Sequence, residues 1–364
     1  MNALRKSLEK LNTRARMAHR KAAFFLVTGC AMLAASCALH AADFTPEIPP
    51  LPSSPERYAP LKGYQPMNVP ADNPMTAEKA ALGWQLYFDK RLSGDGKLAC
   101  YSCHLNEKGL TDGRPVAIGA FGKKLTRSAP TMWNIGYHEN WYWDGRATTL
   151  EGQAIAAWKG GNMGAKNPEE VVDQLNRIDG YHKQFQSVFG ESATVENVGK
   201  ALACYMRTII SQNTPYDRWR RGEKDAMSES AIRGMKAFEK AECTNCHVGL
   251  LWTSLQFYNV GIGMQAEKPD VGRFKVTKIE KDYGAFKAPT MRDVSDSAPY
   301  FHDGSVATLE EAVRQMVNGG LPNKHLDTMN LKKADLTEQE IQDIIAFLEA
   351  LDEPTNLKHP KLPS

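Results

Sequence analysis

The sequence predicts a mainly α-helical chain of 364 residues built from two related halves. Three observations predict it. Apolar residues recur at helical spacing in several capped segments, and no long alternating strand pattern appears. One set of short motifs also occurs twice, in the same order and at matched spacing.

The first segment is an address. Residues 1–21 hold seven basic side chains against one acid, Glu9. An apolar run follows from Ala22 to about Leu39, then His40-Ala41-Ala42 offers a small-residue cleavage site. That order reads as a secretory signal over 1–42, and the expected location is the periplasm. An uncleaved anchor is the alternative, although the run is short and mixed for a span. Val27-Thr28-Gly29-Cys30 loosely resembles a lipoprotein site, with too little apolar sequence before it. The whole chain carries net charge +3. Residues 1–42 carry +6, so the remainder is −3. With no polybasic stripe left, nucleic acid is excluded as a partner. A hydrophobic fraction of 42% supports packed cores and excludes a disordered chain.

Residues 43–74 hold nine prolines and are expected to run extended over the surface. A helix is expected over Ala77–Asp89, and its counterpart over Glu229–Lys240. Pro168-Glu-Glu-Val-Val-Asp-Gln-Leu places Pro and acids in a first turn, ahead of apolar spacing. Val198–Ile210 is an apolar helical run that carries Cys204, read as a buried bystander. Asn213–Ser228 is a polar, charged connector, and the boundary between halves is set at 220/221. Leu336-Thr337-Glu-Gln-Glu340 is a capping box, and Ile341, Ile344, Ile345 and Leu348 share the face that follows. Residues 353–364 form a tail.

Seven cysteines are too few for a disulfide scaffold. Cys30 and Cys37 lie in the signal. Four others form Cys100-Tyr-Ser-Cys103-His104 and Cys243-Thr-Asn-Cys246-His247. C-x-x-C-H is the c-type haem attachment signature. Two thiols add across the haem vinyl groups, and the adjacent His reaches the iron. A thioredoxin-like pair, a zinc site and a disulfide are the competing readings. Zinc needs four converging ligands, and the two motifs stand 143 residues apart.

The repeat extends beyond these motifs. Ala-Pro-Thr recurs at 129–131 and 288–290, and an Asp-Gly pair follows each Pro by 14 residues, at Asp144 and Asp303. From His to Pro is 26 residues in the first copy and 42 in the second. The 16 extra residues, within Gly261–Tyr283, are expected to lie against the other half. The first domain is assigned to 75–220 and the second to 221–352.

These residues resemble the bacterial dihaem cytochrome c peroxidase and MauG superfamily. The resemblance rests on both C-x-x-C-H motifs, Trp143-Asp-Gly-Arg146, Leu150-Glu-Gly-Gln153, Ala288-Pro-Thr-Met-Arg292 and Pro299-Tyr-Phe-His-Asp-Gly304. It covers about residues 70–352. It implies two cytochrome c-like domains carrying two covalently bound haem c groups. The haem on Cys100, Cys103 and His104 would be high-spin and catalytic. The haem on Cys243, Cys246 and His247 would transfer electrons. Met316, 14 residues after His302, falls at the family's Met ligand to that second iron, where MauG-type enzymes carry Tyr. Met264, Met291 and Met329 are the fallbacks. Trp143 falls where the family has a tryptophan between the haems, and Gln153 where it has a distal glutamine.

Three departures qualify the resemblance. No His lies between His104 and His138. The first haem is therefore expected to be open, with no switch ligand. The family's acid–base Glu reads Asn162, which hydrogen-bonds but does not shuttle a proton at neutral pH. Asp144 and Glu151 are the nearby carboxylates, and neither is expected to point at the iron. An Asn that supplies a calcium oxygen reads Ser128, so calcium between the domains would rely on backbone carbonyls and water.

The activity implied is reduction of hydrogen peroxide to water. One oxidising equivalent would move through Trp143, and two electrons would come from a small basic cytochrome c or a copper protein. The alternative is a MauG-like oxidase whose high-valent state oxidises Trp or Tyr of a protein partner. Trp133, Trp141 and Trp158 are read as exposed aromatics in its favour. A dihaem electron carrier is the non-enzymatic reading. A homodimer is expected by analogy.

Overall fold

The computed structural model describes residues 66–364. The signal segment, Cys30, Cys37 and most of the Pro-rich stretch lie outside the described residues. The chain is helix-dominated, as the periodicity implied. In order come α1 (Ala77–Phe88), α2 (Leu150–Lys159), α3 (Pro168–Asn176), α4 (Asp179–Phe189) and α5 (Val195–Met206). Then follow α6 (Pro215–Arg220), α7 (Glu229–Lys240), β1 (Phe257–Tyr258), α8 (Phe274–Thr277) and β2 (Phe286–Lys287). Last are α9 (Leu309–Val317) and α10 (Glu338–Glu349). Strands β1 and β2 pair antiparallel, and each is two residues long.

Local chemistry explains the helix starts. Thr76, Thr149, Thr194, Thr214, Ser228, Thr308 and Thr337 each accept a backbone N–H of the first turn. The box at Thr337 is completed by Glu340, as expected. Pro168 sits in the first turn of α3, where its missing N–H costs nothing.

Two helix crossings build the cores. Helix α1 packs on α5, and a methyl group on Gly83 would overlap the Ala201 carbonyl. Helix α7 packs on α10, and a methyl group on Gly234 would overlap the Asp343 carbonyl. Glycine at both crossings allows backbone-to-backbone approach. In the first half Leu82, Leu86, Tyr87, Leu175, Phe185 and Leu202 are buried. The second core is aromatic, with Trp252 edge-on to Phe347 at 5.0 Å, to Tyr216 at 5.2 Å and to Phe238 at 5.8 Å.

Tyr216 belongs to that second core, and Trp219 packs against it. The connector is thus helical, and α6 is packed with the residues after the expected boundary at 220/221. Its polar look comes from Asp217, which caps Thr214 and receives both guanidinium nitrogens of Arg292 at 2.7 and 2.8 Å. Arg292 Nε donates to the Leu250 carbonyl at 2.6 Å. Burial alone would raise the Asp217 carboxyl, but Arg292 outweighs it and holds the group below its usual value. A depressed carboxyl stabilises the fold above its unfolded pKa and loses that contribution as pH falls through the folded one. Arg292→Leu leaves a buried, unpaired carboxylate and is expected to cost roughly 3–5 kcal/mol. Urea unfolding of the holoprotein checks this, and a loss below about 1 kcal/mol would show the pair to be nearly neutral.

The insertion lies against the first half, as expected. Asp270 receives Arg127 at 2.7 and 2.9 Å, and Arg273 Nη1 donates to the carbonyls of Asp144 and Gly145 at 3.0 and 2.8 Å. The tail also returns to that half. Asn106 and Leu357 exchange hydrogen bonds at 3.1 and 3.0 Å, and Trp84 Nε1 donates to the Lys358 carbonyl at 2.6 Å. The His359 ring packs edge-on to both Phe88 and Tyr101. The described end of the Pro-rich stretch is not merely superficial. Asn73 is buried, donates to Glu151 Oε1 at 2.7 Å and accepts from Lys79 Nζ at 3.0 Å.

One expectation is corrected. Trp133, Trp141 and Trp158 are buried, at 4%, 5% and 2% exposure. Trp158 Nε1 donates to the Leu92 carbonyl and Trp141 Nε1 to the Ile135 carbonyl, at 2.7 and 3.2 Å. Loop segments rich in Gly and polar residues flank Trp133 and Trp141 and follow Trp158 at the end of α2, which is why they read as exposed. Trp141 and Trp158 instead wall a cavity.

Candidate active site

Each C-x-x-C-H motif is a short 3₁₀ turn, Cys100–Ser102 and Cys243–Asn245, that follows a core helix. Burial pushes the Cys100 and Cys243 thiols up to about 12, and Cys103 and Cys246 up to about 11. Such thiols are not activated redox nucleophiles. Among the described residues no group of three or more His, Cys, Asp or Glu is arranged to hold a metal ion. Both facts disfavour the thioredoxin-like and zinc readings.

The histidines are treated alike. His104 Nδ1 meets the Leu110 carbonyl at 2.9 Å, and His247 Nδ1 meets the Trp252 carbonyl at 3.2 Å. A carbonyl only accepts, so Nδ1 carries the proton and Nε2 keeps its lone pair. Burial lowers both histidines and favours the neutral ring that a metal needs. The loops behind them match as well. Thr131 Oγ1 donates to the Gly109 carbonyl at 2.7 Å, and Thr290 Oγ1 to the Leu251 carbonyl at 2.6 Å.

Each motif faces a cavity. The first, about 760 Å³, is lined by Cys100, Cys103 and His104 on one side and by Trp143, Gln153 and Asn162 elsewhere. The second, about 230 Å³, is lined by Cys243, Cys246 and His247 and by Met316 of α9. The first cavity has about three times the volume of the second. Met291 also lines the second cavity, Met264 and Met329 do not, and Met329 is 83% exposed.

Trp143 lines both cavities. Its Nε1 donates to the Ser128 carbonyl at 3.0 Å. Ser128 in turn donates its amide to the His302 carbonyl and its hydroxyl to the Phe301 carbonyl, at 2.8 and 2.9 Å. Sequence reasoning treated Ser128 only as a lost calcium oxygen. Its role as the tie that holds Trp143 between the halves has no sequence signal.

Gln153 Oε1 is buried and has no hydrogen-bond partner. An orphaned acceptor costs free energy unless a ligand fills the space beside it. The Tyr142 hydroxyl donates to the Gln153 carbonyl at 3.3 Å, and the Arg146 guanidinium lies 3.5 Å above the Tyr142 ring. The two carboxylates near the site are committed elsewhere. Asp144 is paired with Arg127 at 2.8 Å and Arg146 at 2.9 Å. Glu151 is paired with Arg207 at 2.7 Å and is not among the residues lining the cavity. His104 is the one histidine among the first cavity's lining residues.

The comparisons agree with this geometry. Residues 77–225 match the family model described as di-haem cytochrome c peroxidase. The chain is 40% identical over 343 residues to the cytochrome-c peroxidase IdrP1 of Denitromonas iodatirespirans, covering 84% of this chain and 90% of that one. The chain belongs to the dihaem cytochrome c peroxidase and MauG family. Within that family it is also 36% identical to the methylamine utilization protein MauG of Methylophilus methylotrophus, over 78% of this chain and 85% of that one. A solved MauG-like protein associated with microbial copper homeostasis superposes with TM-score 0.74 at 34% identity, covering 81% of this chain and 95% of that one. As a dihaem family member, the chain needs two cavities with paired thiols and a neutral histidine, and both are present. The orphaned Gln153 oxygen and the apolar linings fit a haem in each.

Proposed function

We propose that this protein is a periplasmic dihaem cytochrome c peroxidase, reducing hydrogen peroxide to water with electrons from a small redox protein. One observation carries the reading. Trp143 walls two unlike cavities at once, a larger one whose one histidine is His104 and a smaller one lined by His247 and His302 with Met291 and Met316.

Cys100, Cys103 and His104 would hold the first haem c, and Cys243, Cys246, His247 and Met316 the second. When bound, an open haem iron supplies the two-electron chemistry of peroxide, and a His/Met haem supplies one-electron transfer at raised potential. The chain's own residues do the rest. The Leu110 and Trp252 carbonyls orient the two histidines. Gln153 lines the first cavity, with a side-chain oxygen that no protein group satisfies. Asn162 lines the same cavity as a hydrogen-bonding, non-titrating group, so protons would come through water. The Ser128 carbonyl accepts from the Trp143 indole and holds it in place. As a poor base it leaves that N–H protonated while the ring relays charge.

The reading includes two cytochrome c-like domains related by internal duplication. The paired helix crossings at Gly83 and Gly234, and the paired Thr131 and Thr290 bonds, support that origin. The boundary is better drawn near Asn213 than at 220, because Tyr216 packs in the second core. A net charge of −3 outside the signal suits a basic cytochrome or copper-protein donor steered electrostatically. Among the described residues no helix is long and apolar enough to cross a membrane. The MauG-like alternative has Asn162 in its favour. Met316 and the burial of Trp133, Trp141 and Trp158 weigh against it.

The test is spectroscopic and kinetic together. The as-isolated holoprotein is expected to show one high-spin and one low-spin haem, and to consume peroxide with stoichiometric oxidation of a reduced cytochrome. Absence of any high-spin signal would defeat the enzymatic reading. Slow turnover with crosslinking of a partner protein would favour the MauG-like one.

A further inference from the structure

Lys287 has no part in the chemistry described so far. It closes β2 at 9% exposure and lines the second cavity. Its amide donates to the Trp143 carbonyl at 2.9 Å. Its side chain crosses into the first half, where Nζ donates to the Asn140 carbonyl at 2.7 Å and to His138 Nδ1 at 3.1 Å. Among the described residues no carboxylate lies within ion-pair distance of it. A buried ammonium held by a carbonyl and a neutral ring is poorly compensated.

The surrounding groups leave it as the one that titrates near neutrality. Burial, with the Lys287 charge beside it, keeps His138 well below its usual value, so that ring is neutral. Asp144 is the acid that favours the ammonium, but it is paired with Arg127 and Arg146. Arg273 reaches over the Asp144 and Gly145 carbonyls. On the other side the Phe286 ring stacks on His302 at 3.6 Å. Burial lowers His302 to about 4, with Asp303 and Asp270 pulling the other way, so it too is neutral. Burial brings Lys287 itself down to about 7, opposed only by Asp144.

We propose that Lys287 is a redox-linked proton site, charged while the second centre is reduced and neutral once an electron has left through Trp143. This rests on the reading of the second cavity as the electron-transfer haem. The balance is one electron out toward the first site and one proton out to solvent, leaving a neutral amine. The cause is electrostatic. Positive charge arriving beside a buried ammonium repels it, and proton loss removes that repulsion.

The test is the midpoint potential of the low-spin haem in the holoprotein, followed optically from pH 6 to 9. The wild type is expected to fall with pH toward one proton per electron, tenfold per pH unit or about 59 mV. Lys287→Met is expected to be flat at the low plateau. Lys287→Arg, which keeps the charge, is expected to be flat at the high plateau. A flat wild type, or two variants that keep the wild-type slope, would overturn the proposal. If the Met variant does not fold, the Arg variant alone decides. Absence of a low-spin haem in the wild type would instead sink the reading of the second cavity.

Discussion

Trp143→Phe is expected to slow peroxide reduction by a cytochrome donor roughly ten- to a hundredfold, about 1.4–2.7 kcal/mol in barrier. The substitution keeps an aromatic ring in the wall shared by both cavities. It removes the N–H that the Ser128 carbonyl holds at 3.0 Å, and it replaces an easily ionised indole by a benzene ring. Peroxide binding depends on the first cavity alone, so the ferric spectra and the peroxide affinity are expected to stay close to wild type. The loss should therefore appear in kcat with the donor, not in KM for peroxide. Stopped-flow mixing of the half-reduced protein with peroxide checks it, through the rate at which the low-spin haem is oxidised. A rate within twofold of wild type would mean that charge reaches the second centre by another path. The cost to folding should be small, because Trp143 is only half-buried and its replacement is of similar shape.

Met316→Tyr is expected to lower the potential of the low-spin haem by on the order of 100 mV or more. Met316 lies on α9, facing the cavity that holds Cys243, Cys246 and His247. A thioether stabilises the reduced iron, whereas a phenolate stabilises the oxidised one. Donor-driven turnover should then fall, since the donor no longer reduces that centre. Met316→Ala separates ligation from packing. It is expected to open the sixth position, giving a high-spin signal and affinity for imidazole that the wild type lacks. Unchanged spectra and potential in both variants would move the assignment to Met291, which lines the same cavity.

Much of the fold was legible because its signals are local. A Thr before an apolar helical run marked a helix start, and the cap at Thr337 stands where the pattern put it. The attachment motifs were legible because a thioether pair and an adjacent ligand must be neighbours in sequence. The misread tryptophans show the limit. Burial of Trp141 depends on a cavity wall assembled from distant segments, whereas Trp158 continues the buried Leu150 and Ala154 face of α2. The connector misled for a related reason. Asp217 looks like surface charge until Arg292, 75 residues on, is seen to neutralise it.

The sequence by itself determined the chemistry on offer. It supplied two haem-binding motifs, a repeat with matched 14-residue spacings and a methionine at the family's ligand offset. These are covalent and short-range facts, which survive in one dimension. The tertiary structure decided which groups meet. It set Trp143 in two walls at once, left Gln153 Oε1 without a partner, turned Glu151 away to Arg207 and pushed Lys287 across to His138, 149 residues earlier. Such contacts depend on how two halves dock. Docking follows from the summed packing of whole surfaces, which no local pattern encodes.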